Sequence, residues 1–329
     1  MEMVKMASLN ELFRGCLLGA AAADALAAPL MGAGKEVARG GDGGPVTDLL
    51  AWKYPAGSVT AATQVMVAEA QGMLEMGRFE VGHSGLKLAR LLQYSDSGEK
   101  EVRGVGLATA AASRKITIGT PVGETAVESG GCGPATRVAP IALRFFRDPK
   151  ELRESATEQA QVTHTGTEAV AGSVMIAYAI AHCVWTKDNE EDFDKLTMLE
   201  HLYKAVYEID IELASKVSGL AGYLEKPAEE GFAYTGTSGW SMEAVPAALL
   251  AFLLSPGDLE KTVVTAANAG GCACAIAAMA GAVSGAWNGA SAIPSRWLDR
   301  LEGREYIEMI ADRLRVFILD RRPKSRPFW

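Results

Sequence analysis

The chain has 329 residues, of which 49% are hydrophobic and 22% charged, so it can bury a large core and is not a disordered protein. Its formal net charge of −8 excludes a protein that binds nucleic acid or anionic membranes through unspecific positive charge. No Pro/Ser/Gly linker or charge block divides the sequence, which predicts a single domain over residues 1–329 with a basic tail at 321–329.

The cysteines are odd in number and mostly lie among Ala, Gly or apolar residues, which predicts reduced thiols in a cytoplasmic protein. They are Cys16, Cys132, Cys183, Cys272 and Cys274. The apolar run near the start contains Asp24, which argues against a secretory signal peptide.

The first predicted helix follows Ser8 and becomes very rich in alanine before it stops at Pro29. Asp24 is the one charge in that Ala-rich part, and an unpaired carboxylate in a protein interior costs several kcal/mol. Asp24 therefore needs a partner. It is either a site residue or an acceptor for backbone N–H groups.

The next predicted helix begins after Thr60, its expected N-cap, and runs to about Met76. Further helices are expected over 83–94 and 102–113. The chain from 116 to 133 reads as an irregular loop, and it ends in Ser-Gly-Gly-Cys-Gly at 129–133. Such a glycine-rich loop can bring backbone N–H groups against a phosphate.

Asp148 and Pro149 open another helix, which is expected to reach Gln161. Thr163 and His164 follow it, so His164 lies at a helix end and is either a site residue or a structural one. Two long apolar helices are then predicted over 168–185 and 196–217.

A polar, glycine-punctuated loop at 234–241 precedes an apolar run over 244–254, and the last helix is expected around 306–319. Between them, the stretch from Thr262 to Ser295 contains no charged residue and must lie inside the protein. It is too rich in Ala and Gly to be a membrane span. Its glycine-rich turn at 268–275 opens onto a helix N-terminus that can meet an anion.

About ten helices and no convincing strand predict an all-α protein. The Gly- and Thr-rich loops that follow Pro29, precede Thr60 and lie at 129–133, 163–166, 235–241 and 268–275 would form one pocket if they converge. Ligand-binding candidates in these loops are Thr60, Gly131, Cys132, Gly133, Thr163, Gly236, Ser238, Gly239, Gly271 and Cys272.

Several of these segments together resemble the ADP-ribosylglycohydrolase family over nearly the whole chain. The resemblance lies in the opening helix through Pro29, the glycine loop that ends in Arg137 and Pro140, the Thr163-His164 pair and the stretch from Asn268 to Gly289. It implies a single compact orthogonal helical domain. It also implies hydrolysis of an N- or O-glycosidic bond to ADP-ribose by water at a pair of Mg²⁺ or Mn²⁺ ions.

The family's metal ligands, as the resemblance implies them, come from a Thr-Asp-Asp-Thr turn, an Asp-x-Asp-Thr turn and a Glu after the first helix. This chain departs from that pattern at every carboxylate. The aligned positions hold Met31, Ala61, Ala62, Cys272 and Cys274. Hard divalent ions need oxygen ligands, so we predict no metal and no cofactor.

Two alternatives concern the cysteines of the second turn. Cys272 and Cys274 can hold a soft ion such as Zn²⁺ if Cys132 or His164 completes the ligand set. Alternatively, small neutral residues simply fill the space that the carboxylates left, which the sequence favours.

Two functions remain open. The chain can be a metal-independent N-glycosidic hydrolase that uses Asp24 and His164 as catalytic residues, with Glu128 and Glu243 as further candidates. It can instead be an inactive pseudohydrolase that binds ADP-ribose or a related nucleotide. The sequence favours the hydrolase slightly. Either function predicts a small-molecule nucleotide or ADP-ribosylated partner, and neither involves nucleic acid or a membrane.

Overall fold

The computed structural model describes residues 9–31, 44–96 and 101–316, so the predicted basic tail at 321–329 lies outside them. The described residues form sixteen α-helices and no strand, which confirms the all-α prediction. In chain order the helices are α1 (Leu9–Ala27), α2 (Ala61–Met76), α3 (Val81–Asp96), α4 (Leu107–Thr117), α5 (Gly133–Arg137), α6 (Ala139–Phe145), α7 (Pro149–Gln161), α8 (Thr167–Asp188), α9 (Lys195–Val206), α10 (Ile211–Ser218), α11 (Ala228–Thr235), α12 (Ser241–Leu254), α13 (Leu259–Ala267), α14 (Ala273–Asn288), α15 (Ser295–Leu298) and α16 (Arg304–Val316).

The helix starts that were predicted from capping residues are confirmed. Thr60 caps α2 by accepting a hydrogen bond from the backbone N–H of Ala62. Asp148 caps α7 by accepting from the backbone N–H of Glu151, with Pro149 at the first helical position. Local side-chain chemistry therefore sets where these two helices begin.

Other helix predictions are wrong in their extent. The single helix expected over 196–217 is two helices, because the Asp210 side chain accepts from Leu213 N and starts α10 anew. The helix expected from residue 102 begins at Leu107, since Gly104 has a φ of 76° that a right-handed helix cannot contain. The short helices α5, α6, α11 and α15 were missed, because a few residues do not establish a periodic pattern.

The closest helix contact of the core joins α1 and α14, which run antiparallel along a seam of glycines. A methyl group on Gly285 would lie 1.9 Å from the carbonyl oxygen of Gly15, and one on Gly19 would lie 2.5 Å from that of Gly281. The two backbones therefore touch, and only glycine fits at these positions. The prediction that the charge-free stretch is interior is confirmed for α14, which is buried from Ala273 to Ala286, but Gly271 before it and Ser291 and Ala292 after it are exposed.

Two further helices complete this core. The central helix α8 is buried over most of its length and packs against α7, α14 and α5. Helix α16 lies against α1, where Nε and Nη2 of Arg14 donate to Oδ1 and Oδ2 of Asp312, each at 2.7 Å. This bidentate pair joins the two ends of the described chain.

Two segments are long and apolar enough to cross a membrane by length and composition, namely Leu9–Leu30 and Thr167–Asp188. In the folded chain, 89% and 100% of their apolar windows are buried inside the protein. Their hydropathy therefore reflects packing against other helices.

We predict that Gly285→Ala lowers the free energy of unfolding by about 1–3 kcal/mol or more, because the new methyl group would overlap the backbone of α1. Urea denaturation measures the loss. Gly222→Ala is the matched control, since a methyl group there meets nothing within 4 Å. Equal stability of the two variants would contradict the close contact between α1 and α14.

Candidate functional site

Four of the predicted loops, at 129–133, 163–166, 235–241 and 268–275, contribute residues to one cavity of about 590 Å³, together with Met31 after α1 and the start of α2. The cavity lies at the N-termini of α2, α5 and α14. Its lining residues are 31, 60–62, 65, 104–109, 129, 131–133, 136, 137, 164, 238, 239 and 271–275. A volume of this size suits a small-molecule ligand.

Nine of the twelve predicted site residues line this cavity, and three lie behind its wall. The nine are His164, Thr60, Gly131, Cys132, Gly133, Ser238, Gly239, Gly271 and Cys272. The other three are Asp24, Thr163 and Gly236. Gly236 ends α11 with a φ of 70°, and it packs against the Glu243 side chain.

Asp24 is fully buried at the end of α1 and is enclosed by the start of α2. Its Oδ2 accepts hydrogen bonds from the backbone N–H groups of Thr60 and Thr63 at 2.8 and 3.2 Å and from the Thr63 hydroxyl at 2.6 Å. Its Oδ1 accepts from the Thr60 hydroxyl at 2.6 Å. Burial raises the pKa of the Asp24 carboxyl group, and these hydrogen bonds partly offset that effect. Asp24 thus holds the N-terminus of α2 in place.

His164 lines the cavity with its Nε2 side, while its Nδ1 contacts the hydroxyl of Thr163 at 2.7 Å. Arg137 donates to the same Thr163 oxygen at 2.8 Å, so the hydroxyl proton is available for Nδ1. The other acceptor of that proton, the carbonyl oxygen of Ala160, is 3.5 Å away. This arrangement favours Nδ1 as the acceptor, the tautomer in which the ring proton is on Nε2 and faces the cavity.

Burial and the nearby Arg137 cation lower the pKa of His164 to about 3. The ring is therefore neutral near pH 7, where it offers a hydrogen bond but does not carry a charge. A proton-transfer catalyst works best with a pKa near the operating pH, which His164 lacks.

Arg137 is the one charged side chain among the described residues that line the cavity. It is almost fully buried, and it donates to the carbonyl oxygen of Gln159 at 3.0 Å as well as to Thr163. Burial lowers the pKa of Arg137 to about 10, an effect that the buried carboxylate of Glu69 opposes. Arg137 stays cationic at neutral pH and gives the cavity a positive wall.

The two remaining carboxylates considered from the sequence do not line the cavity. Glu128 is exposed. Glu243 accepts a hydrogen bond from the backbone N–H of Ser238 at 2.9 Å, which holds the pKa of Glu243 below its usual value. Glu243 therefore shapes the loop at 236–239 from behind.

Sequence reasoning missed one wall of the cavity. The segment 104–109 lines it with Val105 and the exposed Leu107, and Ser129, Thr136 and Arg137 were not selected as site residues. Arg137 had a sequence signal, because it is the one charge in the otherwise neutral run from Gly130 to Leu143. The segment at 104–109 had none, since its apolar residues resemble ordinary core.

We predict that Asp24→Ala lowers the free energy of unfolding by at least about 3 kcal/mol, because it leaves several buried donors without an acceptor. Asp24→Asn should lower the free energy of unfolding by less, because the amide oxygen of Asn can still accept the three hydrogen bonds that Oδ2 of Asp24 accepts. The control is Asp258→Ala at the exposed N-cap of α13, which should cost about 1 kcal/mol. Urea denaturation compares the three, and an Asp24→Ala loss no larger than that of Asp258→Ala would contradict this role.

The pKa of His164 predicts a pH effect on stability. The unfolded chain binds a proton on this ring near pH 6.5, whereas the folded chain does so only near pH 3, so stability falls as the pH drops between them. Between pH 7 and pH 5, the titration of His164 alone should lower the free energy of unfolding by about 2 kcal/mol. In His164→Gln the decline over that interval should be smaller by that amount. Identical declines in both proteins would contradict a neutral, buried His164.

Comparison with known proteins identifies the family of this fold. A sequence model of the family described as ADP-ribosylglycohydrolase matches residues 5–325. An uncharacterized protein of Archaeoglobus fulgidus is 35% identical over 309 residues, 93% of this chain and 96% of that protein. The ADP-ribosylhydrolase ARH3 of Bos taurus is 27% identical over 219 residues, 57% of this chain and 58% of the relative. A solved structure of an ADP-ribosylglycohydrolase-related protein complex has a TM-score of 0.76 and 26% identity, covering 94% of this chain and 98% of that chain. The chain therefore belongs to the ADP-ribosylglycohydrolase family.

Proposed function

We propose that this chain binds an ADP-ribosyl or ribosyl N-glycoside in the cavity and does not hydrolyse it by the metal route that the resemblance implies. One observation carries the proposal. All five positions that the resemblance aligns with acidic metal ligands line the cavity, and none holds a carboxylate. They are Met31, Ala61, Ala62, Cys272 and Cys274.

These residues do not fit a pair of hard divalent cations. Mg²⁺ and Mn²⁺ prefer carboxylate, carbonyl and water oxygens, whereas these positions offer a thioether, two methyl groups and two thiols. Among the described residues, no Asp or Glu lines the cavity, and no group of three or more His, Cys, Asp or Glu side chains is suited to a metal. The same finding gives no support to a soft-metal site at Cys272 and Cys274.

The cavity wall favours an anionic ligand with a ribosyl group. Arg137 supplies positive charge, the His164 Nε2–H is a neutral donor, and the first turn of α14 presents backbone N–H groups. The apolar side chains of Val65 and Val105 offer a surface for a sugar or base. The bovine relative is named an ADP-ribosylhydrolase, which supports an ADP-ribosyl compound as the ligand.

The geometry favours the binding protein over the metal-independent hydrolase. The Asp24 carboxylate lies behind the wall with both oxygens occupied, and His164 is neutral with its ring proton directed into the cavity. A metal-free glycosidase needs an acid or base and a stabilising carboxylate beside the substrate. The described wall supplies no carboxylate.

The cytoplasmic location stays a prediction.

We predict that ADP-ribose binds to the wild-type protein in the presence of EDTA, measured by isothermal titration calorimetry. Gly133→Asp should weaken binding by ~10-fold or more, about 1.4 kcal/mol. Its carboxylate would enter the cavity beside His164, since a methyl group at that position already lies 3.4 Å from the His164 Cε1 atom. Gly123→Asp adds the same charge at an exposed site outside the cavity and should bind as the wild type does.

The same proteins are then tested for release of ADP-ribose from ADP-ribosylated peptides and from N-glycosides, with EDTA and with added Mg²⁺ or Mn²⁺. A metal-bearing member of the family serves as the positive control. Turnover that resists EDTA would show that the chain is a metal-independent hydrolase and not only a binding protein. Turnover that requires a metal would contradict the conclusion that the cavity residues do not fit divalent ions. Absence of heat with ADP-ribose, ribose 5-phosphate and nucleosides would remove the proposed ligand class.

A further inference from the structure

Two cysteines that are distant in sequence meet on one wall of the cavity. Cys132 lies at the start of α5 and Cys272 at the start of α14, and both line the cavity. The backbone N–H of Cys132 donates to the carbonyl oxygen of Gly239 at 2.9 Å, and that of Cys272 donates to the carbonyl oxygen of Thr237 at 2.7 Å. Carbonyl groups two residues apart lie at most about 7 Å from each other, so the backbones of both cysteines are anchored to the same short loop at 237–239.

The two side chains also interact with each other. A hydrogen bond from the Cys132 thiol lowers the pKa of Cys272 to about 7 and raises that of Cys132. The backbone N–H of Ala275, in the first turn of the sixteen-residue helix α14, also donates to the Cys272 sulfur. A sulfur that accepts two donors at the positive end of a long helix is stabilised as the thiolate.

The three remaining cysteines have neither the lowered pKa nor the exposure of Cys272. Cys16 and Cys183 are fully buried in the apolar core, and burial raises their pKa. Cys274 lines the same cavity, but burial and the nearby Asp24 carboxylate raise its pKa. Cys272 is also the one cysteine of the five that is more than marginally exposed. A reagent that enters the cavity therefore meets one activated sulfur.

We infer that Cys272 and Cys132 form a redox-active dithiol, in which Cys272 attacks low-molecular-weight disulfides and Cys132 resolves the product into an internal disulfide. In the first step the Cys272 thiolate bonds to one sulfur of the disulfide, whose S–S bond breaks and releases a thiolate that takes up a proton. In the second step Cys132 loses its proton and attacks the Cys272 sulfur, which releases the second thiol. The two cysteines are oxidised by two electrons, and the small disulfide is reduced to two thiols.

This dithiol is independent of the proposed glycoside ligand, because it depends only on the two sulfur atoms and their donors. A mixed disulfide on Cys272 would occupy part of the cavity, and the internal disulfide would join the loop at 129–133 to α14 covalently. The test therefore uses no nucleotide, and its outcome does not depend on whether ADP-ribose binds.

The experiment treats the reduced, folded protein with oxidised glutathione and follows intact mass and peptide maps under non-reducing conditions. The wild type should lose two hydrogen atoms, with a Cys132–Cys272 disulfide in the map that dithiothreitol reverses. Cys132→Ser should stop at a glutathione adduct on Cys272. Cys272→Ser should form neither product at a comparable rate, and Cys274→Ser, the matched control on the same wall, should form the internal disulfide as the wild type does.

Circular dichroism establishes that each variant is folded before the reaction. A wild-type protein that gains no internal disulfide, or one whose disulfide or adduct involves Cys274, would overturn the inference. So would glutathione addition to Cys272→Ser at the wild-type rate. If Cys272→Ser does not fold, Cys132→Ser and Cys274→Ser still decide, because the inference requires a stable adduct on Cys272 in the first and a complete reaction in the second.

Discussion

The contact of backbone against backbone between α1 and α14 is the constraint on which the site depends. Glycines on both helices let the two axes approach more closely than side chains would allow, with Gly15 opposite Gly285 and Gly19 opposite Gly281. Because the helices are antiparallel, the C-terminal end of α1 meets the N-terminal end of α14. That geometry brings Asp24 near Cys274, where its charge raises the thiol pKa. The cavity opens at this junction, so the close contact between α1 and α14 also fixes the positions of the residues in its walls.

The described wall of the cavity departs from the ligand pattern that the family resemblance implies. A site for paired divalent ions must be rich in carboxylates, which neutralise the ions and repel one another when the ions leave. The described residues at the aligned positions instead carry methyl groups, a thioether and thiols. The carboxylate that remains nearby, Asp24, accepts four hydrogen bonds from Thr60 and Thr63 at the start of α2, which partly offset the cost of its burial. Its energetic role is to order Thr60 at the cavity edge.

The loss of acidic groups also changes what the cysteines can do. A thiolate beside several carboxylates would be disfavoured by repulsion between like charges. The groups that lower the pKa of Cys272 are donors, namely the Cys132 thiol and the Ala275 N–H. On the two proposals above, the residues that do not fit hard divalent ions are therefore the same ones that would permit an activated sulfur. Ligand binding and thiol chemistry would share one wall.

The sequence by itself determined the all-α class, the capped starts of α2 and α7, the interior position of α14 and several of the loops that line the cavity, but not its wall at 104–109. These follow from patterns within one or two helical turns, where capping, periodicity and the cost of burying charge act locally. It also showed that Asp24 needed a partner. Only the tertiary structure decided that the partners are Thr60 and Thr63, that burial beside Arg137 holds His164 neutral, and that the Cys132 and Cys272 side chains interact. Those outcomes depend on how separate helices pack, because hydrogen bonds and pKa values are set by atoms a few ångströms away that can lie anywhere along the chain.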